Sequence, residues 1–216
     1  MFIGHYAAAP IGAAKGQIKL WHGFLAVQLV DFAWAIFILL GVEKARIVPG
    51  LTEASPLDLH FMPYTHSLLF TLIWAVLGAV AFKVLTKAQN WTGALIFATL
   101  VCSHWLGDVI VHIPDMTWWP GSEKIGFGLW NTVAISLPLE LGITGLALAY
   151  YLRLTKPVGA RARFWMISFI AVLVALQLFS NFGPPPNTIQ EAAISAFVAF
   201  SVLVFLAARF ERTRQV

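Results

Sequence analysis

Charge is scarce in this chain. Only 14 Lys and Arg and 10 Asp and Glu stand among 216 residues, 11% in all, against about 25% in ordinary soluble domains. A soluble fold needs polar side chains to cover its outside, so this scarcity excludes a water-soluble enzyme and a disordered chain. The single cysteine, Cys102, cannot close an intramolecular disulfide, which excludes a disulfide scaffold and leaves nothing that needs an oxidising compartment. Low-complexity tracts, long linkers and internal repeats are also missing. The opening MFIGHYAAAPIGAAKG has no basic n-region and the apolar run after it continues to span length, so no cleaved signal peptide is expected. What remains is apolar: 59% hydrophobic residues and a mean hydropathy of +0.79. Such a composition is that of an integral membrane protein.

A helix crossing about 30 Å of hydrocarbon needs roughly 20 mostly apolar residues. Six stretches qualify, at about 20–42, 66–86, 92–113, 128–152, 163–182 and 188–209. None alternates with period two, and all exceed the length of a barrel strand. The sequence therefore predicts an all-α membrane protein, a six-transmembrane helical bundle making one polytopic domain over residues 1–216.

The basic residues orient it. With the N-terminus inside, the inner segments hold Lys15, Lys19, Lys83, Lys87, Arg153, Lys156, Arg161, Arg163, Arg209, Arg212 and Arg214, leaving only Lys44, Arg46 and Lys124 outside. That bias follows the positive-inside rule and predicts both termini on the cytoplasmic side. Trp21, Trp91 and Trp165 fall at inner span ends and Trp118, Trp119 and Trp130 at the outer face, as interfacial belts require. The basic loops read as topology signals and contacts with anionic membrane lipids. Despite the basic pI, no recognised motif points to nucleic acid, and none is expected as a partner.

Ionisable groups inside a bilayer cost about 2.5–3.5 kcal/mol each on insertion scales, so each asks for a reason. The set here is Asp31 in span one, His104 and Asp108 in span three and Glu140 in span four, with His66 opening span two and His112 closing span three. At 1.5 Å per residue, Asp31, His104 and Glu140 fall about 16–18 Å from their span starts, near mid-depth, with Asp108 and His66 nearer the outer face. His104, Asp108 and His112 are spaced i, i+4, i+8 and form one polar stripe. That spacing lets imidazole and carboxylate hold one cation from a single helix. Interhelical polar contacts average only about 0.6 kcal/mol, so several such groups at one level are poorly explained by packing alone. Spans five and six carry no ionisable residue in their interiors, which assigns the chemistry to residues 1–152 and leaves 153–216 as a packing hairpin.

Pro63 suits a first helical turn and Thr65 or Ser67 can cap it, so His66 should face inward near the outer mouth, whereas His60 reads as an interfacial loop residue. Residues 1–14 are uncharged apart from His5 and too short to span. They read either as an interfacial anchor or as a re-entrant helix that would set His5 at mid-depth beside Asp31. Residues 120–131, rich in Gly and Pro, mark an outer loop that could act as a lid.

Gly4-His5, Leu29-Val30-Asp31, Thr65-His66-Ser67-Leu68-Leu69 and Ser103-His104-x-x-x-Asp108 occur in that order. This resembles the bacterial inner-membrane family of membrane-bound metal-dependent hydrolases, also called LexA-binding inner-membrane-associated hydrolases. The stretch from Val111-His112-Ile113-Pro114-Asp115 to Gly128-Leu129-Trp130-Asn131 is similar to one branch of it, and the likeness covers residues 1–131. The resemblance implies a cytoplasmic (inner) membrane location and a metal held by His5, Asp31, His66, His104 and Asp108. Two features depart from the family pattern. Asp31 stands without a second aspartate and proline, and Phe61-Met62-Pro63-Tyr64 replaces the usual His-Arg-Gly.

The expectation is a membrane-embedded hydrolase using Zn²⁺ or another divalent transition ion. Glu140 or His112 would act as general base by depth and helix face, on a lipid or lipid-linked substrate. A proton-coupled carrier using the same titratable groups and a non-catalytic assembly protein are the rival readings.

Overall fold

Hydrocarbon offers no partner for a bare N–H or C=O, so long apolar runs close their hydrogen bonds internally as helices. The computed structural model describes residues 1–215. After a 3₁₀ turn at Ile3–Ala7, its helices are α1 (Ala8–Ala13), α2 (Leu20–Val27), α3 (Leu29–Leu39), α4 (Leu68–Leu85), α5 (Thr92–Val111), α6 (Val133–Leu154), α7 (Ala162–Phe182) and α8 (Ile189–Glu211). Among the described residues, α4 to α8 are each long and apolar enough to cross a membrane, and α2 with α3 makes a sixth if the bent pair counts as one span. The protein is therefore a mostly helical, multi-pass membrane protein.

The first span differs from the straight helix expected over residues 20–42. α2 and α3 meet at 48°, and the break falls at Gln28, whose φ of −112° and ψ of 6° lie outside the helical basin. No proline or glycine stands there; Gln28 is fully buried and its Nε2 donates to Asp31 Oδ2 at 2.6 Å. The break ends α2 at Val27 and leaves that carbonyl at a helix C-terminus, where backbone acceptors lack intrahelical partners.

Residues 1–14 pack between helices. The core they enter contains Ile3, Tyr6, Ala9 and Ala13 with Phe24, Phe97 and Phe169, and Tyr6 stacks on Phe24 with ring centroids 4.4 Å apart. Close approach needs small residues. A Cβ added to Gly23 would lie 3.2 Å from the Ala9 backbone oxygen, and one on Gly107 would lie 3.1 Å from His5 Nδ1.

The connections carry short antiparallel hairpins that the helical pattern does not announce: β1 (Lys44–Ile47) with β2 (Leu57–Phe61), and β3 (Met116–Thr117) with β4 (Lys124–Ile125). The second hairpin occupies the loop read as a lid, and bridges from Ser67 to Thr117 and from Leu69 N to Trp118 O tie it to the start of α4. Ala54 N donates to Trp130 O. These links gather the end of α5, the starts of α4 and α6 and the loop after α3 at one end of the bundle.

α8 packs on α2, α3 and α7, the packing role read for the last two spans. They do more, since α7 supplies Gln177, whose Oε1 accepts from Ile3 N at 3.1 Å, and both helices line the main cavity.

Candidate metal centre

Asp108 is the hub. It sits on α5, 1% exposed, one turn beyond His104 and one turn before His112. Its Oδ2 lies 2.9 Å from His104 Nε2 and 3.8 Å from His66 Nε2. Its Oδ1 accepts from the Met1 amino group at 2.6 Å and from His5 Nε2 at 3.0 Å, and faces His112 Nε2 at 3.4 Å. Asp31, three residues past the break, turns Oδ1 to His66 Nε2 (3.2 Å) and His104 Nε2 (3.3 Å). His5 stacks on His104, ring centroids 3.8 Å apart. The structure thus brings together His5, Asp31, His66, His104 and Asp108, with His112 alongside.

The outer nitrogens settle the inner ones. His104 Nδ1 is 2.7 Å from Val27 O, and a carbonyl only accepts, so Nδ1 carries the proton. His112 Nδ1 donates to Asp115 Oδ1 at 3.1 Å. Thr65 has one hydroxyl proton, which goes to Glu43 Oε2 at 2.6 Å, so toward His66 Nδ1, 2.7 Å away, the same oxygen accepts. In all three rings Nδ1–H is committed, so a neutral ring turns its Nε2 lone pair to a carboxylate oxygen and a protonated ring donates there. His104 Nε2 and Asp108 Oδ2, 2.9 Å apart, each lack a hydrogen-bond partner. Facing acceptors in a dry interior repel one another unless a cation lies between them.

The donor set fits a divalent ion. Ligand bonds of about 2.0–2.1 Å in tetrahedral geometry put neighbouring ligand atoms roughly 3.3 Å apart; the four imidazole–carboxylate spacings of His66 and His104 run from 2.9 to 3.8 Å. Two overlapping triads, His5–Asp31–His104 and His66–His104–Asp108, each hold their ligand atoms within 4.8 Å of one another. Each of His66, His104 and His112 also has the outer-nitrogen partner that orients metal-ligating histidines.

Glu140, read as a general base from its depth, is held by donors of the N-terminal segment. Its Oε2 accepts from Phe2 N at 2.8 Å and Gly4 N at 3.1 Å, and Trp130 Nε1 stands 3.4 Å from Oε1. The carboxylate anchors the segment that carries His5, assisted by Thr144 Oγ1 donating to Ile3 O. His112, the other candidate base, is placed like the remaining imidazoles, with Trp130 packed on its ring at 4.4 Å. His60 is exposed on β2, as a loop histidine should be.

Sequence reasoning missed Glu43. It lies just before β1, is 1% exposed, and accepts from Tyr64 N (2.8 Å), Thr65 N (3.0 Å) and Thr65 Oγ1. The signal was a lone acid in a short outer loop beside a span end, indistinguishable by pattern from surface charge. Its consequence is testable. Thr65→Val, which removes the acceptor of His66 Nδ1–H, should weaken metal affinity by about 10–100-fold. Thr65→Ser should retain it, both read by competition with a chromogenic chelator.

No family model, curated protein or solved structure matches this chain.

Proposed function

We propose that the protein is a metal-dependent hydrolase of the bacterial cytoplasmic membrane, with six alternating spans and both termini inside, like the family its motifs resemble. The observation that carries the reading is the convergence of the Nε2 atoms of His66, His104 and His112 on the half-buried carboxylate of Asp31 and the buried one of Asp108. Asp108 Oδ1 and Asp31 Oδ2 have donors in Met1, His5 and Gln28, whereas His104 Nε2 and Asp108 Oδ2 face each other without a hydrogen bond.

His66, His104, Asp31 and Asp108 would hold the ion, with His5 completing the shell. Zn²⁺ suits this nitrogen–oxygen set. When bound, such an ion polarises a substrate carbonyl or phosphoryl oxygen and makes water acidic enough to attack near neutral pH. The chain's own residues do the rest. Val27 O, Thr65 and Asp115 hold the three rings in one tautomer, and Glu140 holds the His5 segment in place. His112, held by Asp115, stands where it can take a proton from water.

Beside the cluster lies a cavity of about 680 Å³ that reaches the outer loops and is walled by α7 and α8. Its size suits a lipid or lipid-linked substrate. Protein treated with a strong chelator should lose hydrolysis of acyl esters, and one equivalent of Zn²⁺ should restore it. Hydrolysis unaffected by removal of the metal would defeat the proposal.

One observation favours a carrier instead. Transporters place ions at broken helices, and Asp31 stands just past the break at Gln28. That reading requires proton flux in liposomes from metal-free protein; the hydrolase reading requires none.

A further inference from the structure

Resting on the reading of this site as one that binds substrate, the charge of the cavity narrows what enters it. Its lining contains five carboxylates, Asp31, Glu53, Asp108, Glu140 and Glu191, and among the described residues no lysine or arginine. Asp31 and Asp108 face the imidazoles, and a divalent ion together with the Met1 amino group on Asp108 outweighs those two charges by one, leaving the lining net negative by two. The other three are solvated or hydrogen-bonded. Glu140 accepts from backbone and indole N–H. Glu53 Oε2 accepts from Val133 N at 2.8 Å. Glu191 Oε2 accepts from Asn187 N and Nδ2, each at 3.0 Å. Glu53 and Glu191 are exposed and stand on the loop and helix start that border the mouth.

Of the three basic side chains at this end, Lys44 is exposed on β1 outside the cavity lining, and the other two have partners elsewhere. Arg46 pairs with Asp58 at 2.6 Å, and Lys124 Nζ donates to His60 O at 3.3 Å. A phosphate entering the cavity would meet no guanidinium or ammonium side chain, the groups that recognise phosphate elsewhere. It would also face a net excess of two negative charges across low-dielectric walls, where like-charge repulsion is large. Leu176 and Phe179 of α7 and Ala196, Ala199 and Phe200 of α8 supply an apolar wall for a hydrocarbon chain.

We infer that the cavity binds an amphiphile with a positively charged, phosphate-free headgroup, its head at the glutamate-rimmed mouth and its chain along α7 and α8.

Two probes of equal chain length test this, dodecyltrimethylammonium and dodecyl phosphate. Each is equilibrated by dialysis against zinc-loaded full-length protein in phosphatidylcholine nanodiscs, with protein-free discs subtracted. The ammonium probe should bind at least about tenfold more tightly than the phosphate, and the ratio should shrink with added salt. The double variant Glu53→Gln/Glu191→Gln keeps both hydrogen-bond acceptors and should cut the ratio at least about threefold, with bound zinc unchanged. Equal or tighter binding of the phosphate probe overturns the inference, as does a ratio unmoved in the double variant. Zinc content measured on the same samples separates this from the hydrolase reading. Metal-free protein that still prefers the ammonium probe sinks that reading alone, and zinc-loaded protein that prefers the phosphate sinks this one alone.

Discussion

Asp108→Asn is expected to abolish the proposed metal binding. The carboxylate meets His104 and His66 through one oxygen and His5, His112 and the Met1 amino group through the other, so all four imidazoles and the N-terminus meet its charge. Asparagine has the same shape, but it turns an NH₂ donor toward one of the Nε2 atoms. An anionic ligand is removed, and the buried Met1 ammonium loses its counter-charge. The expected result is a loss of affinity beyond the roughly 10–100-fold typical of an outer-shell partner, with a lowered melting temperature in detergent. A cluster serving only to pin helices would also melt lower in the variant, but with no change in metal content.

The largest loss of stability is expected at Glu140. Alanine there strands Phe2 N and Gly4 N, and a buried N–H without an acceptor costs about 1–3 kcal/mol, so the two together cost about 2–6 kcal/mol. The segment that sets His5 on His104 would detach, and metal affinity should fall with stability. Glu140→Gln separates anchoring from proton transfer. Its amide oxygen still accepts both backbone N–H groups, so melting temperature, metal content and hydrolysis should stay within a few-fold of the parent. A general base would lose its activity in the glutamine variant while the protein stayed folded.

Much of this was legible because a bilayer penalises the residues concerned. Asp31, His104 and Asp108 stand out in apolar runs where only a burial partner or a ligand justifies them, and the i, i+4, i+8 spacing already placed His104, Asp108 and His112 on one face. The spans followed from length and composition, with ends within a few residues of those observed except at α6, which starts later. The bend at Gln28 was hidden because neither proline nor glycine marks it; it is stabilised by tertiary partners, a buried glutamine on Asp31 and a histidine 77 residues away on the Val27 carbonyl. Glu43 was hidden because it lies outside every span, where an acid costs nothing and attracts no notice. Glu140 was recognised as out of place but given the wrong company, since its backbone partners are 136 and 138 residues distant. In each case the missing information was long-range pairing, which local pattern does not carry.

The facing imidazole nitrogens and carboxylates are proposed as the ligands of a cation. Elemental analysis of the full-length protein, extracted from membranes in mild detergent without added metal or chelator, tests this most directly. The account predicts about one equivalent or more of a divalent transition ion per chain, falling to background in His104→Ala. Less than about a tenth of an equivalent, unchanged after incubation with zinc and dialysis and identical in the variant, would contradict it.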